Sequence, residues 1–127
     1  MSVPAVSEAL AGRRLLVVED EMFVAMLIED VLNGAGCKVI GPAASVAEAL
    51  RLARGAALDG AVLDVNLGSE MVYPVADALR LANVPYVFVT GYGAGSLSEG
   101  HRGHPTIQKP FNPDGFAEEL VKGLALG

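Results

Sequence analysis

The sequence is poor in cysteine and in basic residues, and each shortage excludes a class of protein. Its 127 residues include one cysteine, Cys37, and no tryptophan. One cysteine cannot form an internal disulfide, so we expect Cys37 to be a small buried apolar side chain in a reducing compartment. Nine Lys and Arg against 15 Asp and Glu give a net charge of −6. That balance argues against non-specific binding to nucleic acid or to an anionic membrane.

The sequence also lacks an apolar run long enough to cross a membrane. The mean hydropathy is high, at +0.43, but the longest clearly apolar run, Met22–Ile28, has only seven residues. A spanning helix needs about 20. Residues 1–10 lack the basic and apolar parts of a signal peptide. We therefore expect a cytoplasmic protein with no membrane span, whose apolar residues, 52% of the chain, enter a core.

Short apolar runs alternate with helical patterns along the chain, which is typical of a parallel sheet buried on both faces. The five predicted strands are Leu15–Val18, Cys37–Ile40, Ala61–Asp64, Pro85–Val89 and Thr106–Gln108. The predicted helices cover residues 24–31, 46–54 and 70–81 and a last segment capped by Asn112. The third helix either starts at Glu70 with a kink at Pro74, or starts near Tyr73 with Pro74 at its first position.

This order of elements predicts one α/β domain with a doubly wound, five-stranded parallel sheet. Residues 91–103 contain five glycines and almost no apolar periodicity. We expect a loop there, so that the fourth helix of the fold, between the last two strands, is short or disordered. Residues 1–12 are interpreted as an N-terminal extension with at most a short helix at Val6–Leu10, and residues 13–127 as the domain, with no output domain.

Chemically active side chains follow four of the predicted strands. Glu19 and Asp20 follow the first strand, Asp64 ends the third, Thr90 follows the fourth and Lys109 follows the fifth. In an open α/β sheet, ligands bind at the carboxyl ends of the strands, near the point where the strand order reverses. We therefore expect these five side chains on one rim of the sheet.

This set of side chains indicates phosphoryl chemistry. Three carboxylates on one rim repel each other, so the site must bind a cation or raise a pKa. Oxygen ligands suit a hard divalent cation, and Mg²⁺ fits one or two carboxylates with water and phosphate. The Thr90 hydroxyl and the Lys109 ammonium are donors that phosphoryl oxygens need. A carboxylate beside Mg²⁺ can attack phosphorus, so the residues predict an aspartyl-phosphate site.

The five residues in this order resemble the response-regulator receiver domain, which has the CheY-like, flavodoxin-like fold. The resemblance covers about residues 13–126 and includes the Lys109-Pro110 dipeptide. It implies a single-domain response regulator of a two-component phosphorelay, phosphorylated by a sensor histidine kinase or a histidine phosphotransfer protein. The phosphorylated form would switch binding to a downstream protein. Such a domain is a phosphoacceptor rather than an enzyme, since it catalyses only its own phosphoryl transfer and dephosphorylation.

The resemblance also assigns roles around the metal and the phosphoryl group. Asp64 is the phosphoacceptor and a ligand of Mg²⁺. Asp20 binds the metal directly, Glu19 binds it mostly through water, and Asn66 offers its backbone carbonyl. The donors are Thr90, which binds a phosphoryl oxygen and moves toward it in the active state, and Lys109, which pairs with the phosphoryl group and precedes a cis proline.

The chain departs from the usual receiver pattern at its switch. Receivers usually carry an aromatic residue on strand five, where this chain has Thr106, and a small residue such as Ala after the switch threonine, where it has Gly91. The string Phe-Val-Thr-Gly-Tyr at 88–92 resembles the atypical FATGUY class, in which the aromatic after the glycine replaces the one on strand five. The implied switch is Thr90, Gly91 and Tyr92, and we hypothesise that phosphorylation orders residues 91–103.

Other functions and simpler interpretations stay open beside this one. The chain would otherwise serve as a phosphate sink or shuttle. A Mg²⁺-dependent aspartyl-phosphate phosphatase is disfavoured, because that class needs two acids two residues apart after the first strand and a cap. A receiver-like interaction domain would lack one of the five residues, and none is missing. Glu21 is interpreted as a favourable charge in the first turn of a helix, and no metal site is expected at His101 and His104.

Overall fold

Five parallel strands form one sheet at the centre of the protein. The computed structural model describes residues 3–126. The strands are β1 (Arg14–Val18), β2 (Lys38–Ala43), β3 (Gly60–Asp64), β4 (Tyr86–Thr90) and β5 (Thr106–Gln108). Their order across the sheet is β2-β1-β3-β4-β5, and every neighbouring pair is parallel. The order reverses beside β1, so the sheet is doubly wound, as the sequence predicts.

Helices cover both faces of the sheet. They are α1 (Val3–Leu10), α2 (Met22–Gly34), α3 (Val46–Gly55), α4 (Tyr73–Leu81) and α5 (Pro113–Gly123). Successive strand residues point to opposite faces. Leu15 and Val17 therefore join the core beneath α1, α2 and α5, whereas Leu16 and Val18 join the core beneath α3 and α4. Two buried cores account for the apolar excess of the sequence.

The predicted helix starts are set by local hydrogen bonds and by proline. Ser45 Oγ accepts a hydrogen bond from Glu48 N at 3.2 Å, while the Glu48 carboxylate accepts one from Ala44 N, one residue before the cap. Helix α4 begins at Tyr73, which places Pro74 in the first turn, the second of the two predicted arrangements. Helix α5 is capped by Asn112, whose Oδ1 accepts from Asp114 N at 3.0 Å.

Strand β2 is longer than predicted and continues through Gly41 and Pro42, where the sequence suggested an end. It lies at the edge of the sheet, where a proline need not donate to the ladder, and its register against β1 is irregular there. Gly41 has a φ of +101°, and a Cβ at this position would lie 2.9 Å from the Val17 carbonyl oxygen. The position therefore requires glycine.

The chain before β1 packs against the core. The helix predicted at Val6–Leu10 is present and begins three residues earlier, at Val3. Val6 and Leu10 are buried in the core that α5 also covers. Cys37 is buried just before β2, and its Sγ lies 3.3 Å from the Leu10 carbonyl oxygen. Burial raises the pKa of Cys37 to about 11, so the thiol is protonated and inert at neutral pH.

The stretch that we call the β4–β5 segment (residues 91–103) contains two short 3₁₀ turns, Ala94–Ser96 and Glu99–His101. Leu97, between the turns, is buried in the core that α3 and α4 cover. The sequence predicts a loop here with a short or disordered fourth helix, and the structure has these two single turns in that place. Within residues 3–126, no helix combines the length and the apolarity needed to cross a membrane.

Candidate functional site

The carboxyl ends of the strands bring the predicted acids together. Because β1 and β3 are parallel neighbours in register, the acids that follow β1 lie beside Asp64 at the end of β3. Glu19, Asp20 and Asp64 each offer one oxygen, and the three oxygens lie within 4.8 Å of one another. We call these three residues the acidic cluster. Thr90 ends β4, and Lys109 directly follows β5, so both face the same rim.

The side chains of this site differ in how far they are buried. Among the side chains that the structure describes, the buried polar ones are those of Glu19, Asp64 and Thr90. Asp20 is exposed at the mouth of the site. A buried carboxylate is costly unless it is paired. The fold must therefore supply a cation for Glu19 and Asp64.

Lys109 supplies that positive charge. Its Nζ lies 3.0 Å from Glu19 Oε1 and 3.4 Å from Asp64 Oδ1. Its backbone N–H donates to the Thr90 carbonyl at 2.8 Å, which extends the β4–β5 ladder by one bond and fixes the start of the side chain. The Lys109–Pro110 peptide bond is cis, as the resemblance to receivers implies. The ammonium is therefore held beside the acids in advance of any ligand.

The surroundings of Asp64 favour its protonated form more than water does. Burial raises the pKa of Asp64 to about 8, and a hydrogen bond with Glu19 and the Glu19 charge add to the rise against the opposing effect of Lys109. Burial alone would lower the pKa of Lys109, but its ion pairs with Glu19 and Asp64 raise the pKa overall. The site therefore has an excess of negative charge that a divalent cation would neutralise.

The residues present fit Mg²⁺. The clustered donors are all carboxylate oxygens, and a site that retains a proton to limit their repulsion gains from a cation that replaces it. Asp20 and Asp64 would hold the metal. Asn66 lies in the exposed loop after β3, and its Oδ1 accepts from Gly68 N at 3.0 Å. Because this bond directs the Asn66 side chain toward Gly68 in the same loop, the predicted ligand of the metal is the Asn66 backbone carbonyl.

The predicted switch residues are linked through the backbone. Thr90 Oγ1 accepts a hydrogen bond from Tyr92 N at 3.1 Å, so the hydroxyl predicted to bind phosphate is tied to the β4–β5 segment. The Tyr92 side chain is 79% exposed. On strand five, Thr106 Oγ1 donates to the His104 carbonyl at 2.9 Å. In this structure the Tyr92 ring is in solvent and does not pack on the sheet.

Sequence reasoning did not place Glu21 in the site. Its Oε1 lies 3.5 Å from Lys109 Nζ, which makes it the third carboxylate around that ammonium. Glu21 has extended backbone, with φ −82° and ψ 113°, and lies directly before α2. The signal in the sequence was the unbroken acidic run that follows β1.

Both histidines of the chain stack on aromatic rings. His101 stacks on Tyr73 at 4.4 Å between ring centroids, and its Nε2 lies 3.0 Å from Asp77 Oδ1. His104 stacks on Tyr86 at 4.0 Å, and its Nε2 lies 2.6 Å from the Tyr86 carbonyl oxygen. These histidines pack the β4–β5 segment and the strand that follows it against α4 and β4.

Comparison with known proteins gives consistent relatives, although no protein-family model matches the chain. The phyllosphere-induced regulator PhyR of Methylorubrum extorquens is 38% identical over an alignment 115 residues long that covers 87% of this chain and 43% of PhyR. The chain thus spans about two-fifths of the length of that relative.

Solved structures extend the comparison. SdrG from Sphingomonas melonis Fr1 has 39% identity and a TM-score of 0.79 and matches 93% of this chain and 98% of its own. The BeF3-activated conformation of SdrG, again 39% identical, has a TM-score of 0.75 over 92% of this chain and 98% of its own. The receiver domain of the response regulator PhyR from Erythrobacter litoralis is 27% identical, with a TM-score of 0.78 over 92% of this chain and 93% of its own. The chain belongs to the CheY-like receiver domains of response regulators.

Proposed function

We propose that this chain accepts a phosphoryl group on Asp64 from a phosphohistidine of a sensor histidine kinase or a histidine phosphotransfer protein. A bond forms between an Asp64 carboxylate oxygen and phosphorus, and the bond between phosphorus and the histidine nitrogen breaks. The imidazole keeps the electron pair and takes up a proton. Hydrolysis of the acyl phosphate later returns Asp64 and releases phosphate. In this role the chain catalyses its own phosphoryl transfer and dephosphorylation.

The observation that carries the proposal is the pairing of one buried nucleophile with one preplaced ammonium. Asp64 is buried, and Lys109 Nζ already lies 3.4 Å from its Oδ1. A phosphoryl group bound to Asp64 would therefore meet the ammonium without a large rearrangement. When bound, Mg²⁺ would offset the negative charge that develops on the transferred group, held by Asp20, Asp64 and the Asn66 carbonyl.

The proposed output is a change at a protein-binding surface. The Thr90 hydroxyl would donate its hydrogen to a phosphoryl oxygen, and movement of the hydroxyl toward that oxygen would break the 3.1 Å hydrogen bond that Oγ1 now accepts from Tyr92 N. Loss of that bond would free the start of the β4–β5 segment. The Thr90-Gly91-Tyr92 string would then act as the switch in the manner of the FATGUY class, and a downstream protein would read the change.

The test is phosphoryl labelling of Asp64→Asn. We expect acetyl phosphate with Mg²⁺ to label the wild type and Asp30→Asn, an exposed control on α2, and to leave Asp64→Asn unlabelled while its circular dichroism is unchanged. A chelator should abolish labelling of the wild type. Labelling of Asp64→Asn at the wild-type level would show that Asp64 is not the acceptor.

A further inference from the structure

Glu21 lies at the start of α2, but its side chain contacts Lys109 instead of the helix. It is the residue at the N-cap of α2, where a side chain usually accepts a hydrogen bond from the first turn, yet its side chain makes no capping bond. Its backbone N–H donates to Glu19 Oε2 at 3.2 Å. Its carboxylate instead lies 3.5 Å from Lys109 Nζ, across the mouth of the site. The side chain is therefore directed at the lysine rather than at its own helix.

The three carboxylates around Lys109 differ in their freedom to move. Glu19, Asp64 and Glu21 lie 3.0, 3.4 and 3.5 Å from Nζ. Glu21 Oε1 accepts a hydrogen bond from Nζ, whereas the buried Glu19 Oε1 makes none. The Glu19 side chain is 0% exposed, whereas that of Glu21 is 63% exposed. A phosphoryl group on Asp64 would need one of the ammonium hydrogens. The exposed partner can leave at little cost, because an exposed ion pair contributes little free energy.

We propose that Glu21 is a positioning residue that holds Lys109 in the unphosphorylated site and gives it up when a phosphoryl group binds. The idea rests on the proposed phosphoacceptor role of Asp64. Glu21 would weaken the binding of an anionic group in two ways, since it competes for the ammonium and repels negative charge. The residue would thus set how readily the domain takes and keeps its phosphoryl group.

The first test needs neither metal nor phosphate. In Mg²⁺-free protein, an amine-acylating reagent should modify Lys109 about two- to fivefold faster in Glu21→Gln than in the wild type, a range suited to the loss of an exposed ion pair. The exposed Lys38, far from this site on β2, serves as the internal reference. Glu29→Gln, which removes the same charge from α2, should leave the rate at Lys109 unchanged. Equal rates at Lys109 in Glu21→Gln and the wild type would overturn the proposal.

The second test measures beryllofluoride affinity at saturating Mg²⁺. We expect Glu21→Gln to bind this phosphoryl analogue about two- to fivefold more tightly than the wild type, and Glu29→Gln to bind it as the wild type does. Unchanged or weaker binding by Glu21→Gln would overturn the proposal, as would an equal gain in Glu29→Gln. So would a loss of Mg²⁺ affinity as large as that in Asp20→Asn, since Glu21 would then be a metal ligand.

The two proposals fail in different ways. Labelling of Asp64→Asn would refute the phosphoacceptor role but would not alter the acylation rate of Lys109 in metal-free protein. An unchanged acylation rate in Glu21→Gln would refute the lysine-holding role while Asp64 still accepts phosphate.

Discussion

Two regions of the molecule meet at Thr90 and are held in place by different means. The acidic cluster and Lys109 lie at strand ends, where backbone ladders fix them, and Lys109 N donates to the Thr90 carbonyl at 2.8 Å. The β4–β5 segment is held by side chains that reach α4. Ser98 N donates to Tyr73 Oη at 2.9 Å, and His101 Nε2 lies 3.0 Å from Asp77 Oδ1.

Because the two regions are held differently, phosphoryl transfer at Asp64 and the structural response of the β4–β5 segment depend on different contacts. Ladder bonds form and break together, so the position of Asp64 relative to Lys109 does not depend on any single side-chain contact. Apart from the buried Leu97, the segment depends on a few polar contacts, each of modest strength, which can be lost one at a time. A change at Thr90 would therefore alter the segment and leave the acidic cluster intact.

The largest expected effect comes from removing the apolar anchor of the segment. Leu97 is fully buried between the two 3₁₀ turns, and Leu97→Ala should cost about 2–5 kcal/mol of unfolding free energy, measured in urea, as typical core leucines do. Mg²⁺ affinity should stay at the wild-type value, because the acidic cluster keeps its ladders. Leu81→Ala, at an exposed leucine, should cost less than about 0.5 kcal/mol. Equal losses of unfolding free energy in Leu97→Ala and Leu81→Ala would show that Leu97 does not anchor the segment. A large loss of Mg²⁺ affinity in Leu97→Ala would show that the acidic cluster depends on the segment.

The next effect belongs to the acidic cluster and depends on pH. Asp64 has a pKa of about 8 in the metal-free protein, so Mg²⁺ must displace its proton at neutral pH. Calorimetric Mg²⁺ affinity should rise by up to about tenfold per pH unit below pH 8 and level off above it. Affinity independent of pH between 6 and 8 would contradict the raised pKa.

The same proton affects stability, with the opposite sign to an ordinary paired carboxylate. The folded protein retains a proton that the unfolded chain has already released above its ordinary pKa of 3.8. The contribution of Asp64 to the free energy of unfolding without Mg²⁺ should therefore fall as the pH rises from about 4 to 8, measured as the difference between the wild type and Asp64→Asn. Asp64→Asn should remove both this slope and the pH dependence of Mg²⁺ binding.

The sequence predicted the acidic cluster and Lys109, at the strand ends, better than it predicted the structure of the β4–β5 segment. Strand ends in a parallel sheet converge by topology, so Glu19, Asp64 and Thr90 could be placed together from their positions after apolar runs alone. The packing of His101 on Tyr73 joins residues 28 positions apart and leaves no local pattern in the sequence. Glu21 was missed because its partner, 88 positions away, is set by tertiary structure. The extent of β2 was missed because an edge strand tolerates Gly41 and Pro42.

A smaller effect is expected from the polar anchor of the segment. His101→Ala removes the contact with Asp77 and the stack on Tyr73, so amide hydrogen exchange of residues 98–102 should become about tenfold faster, which corresponds to the loss of one or two modest interactions. Glu99→Gln, at an exposed residue of the same turn, should leave exchange unchanged. Beryllofluoride affinity should change by less than about twofold. Faster exchange at the ends of β1 and β3 would show that the two regions are not separate.

The smallest effect in the unphosphorylated protein is expected at Tyr92. Its side chain is 79% exposed, so Tyr92→Ala should change the free energy of unfolding by less than about 0.5 kcal/mol and should leave Mg²⁺ affinity unchanged. If Tyr92 belongs to the switch, beryllofluoride should alter amide exchange in the β4–β5 segment of the wild type and alter it less in the variant, while the analogue still binds. Identical exchange changes in both proteins would remove Tyr92 from the switch, and the absence of any change in the wild type would show that the segment does not respond to Thr90.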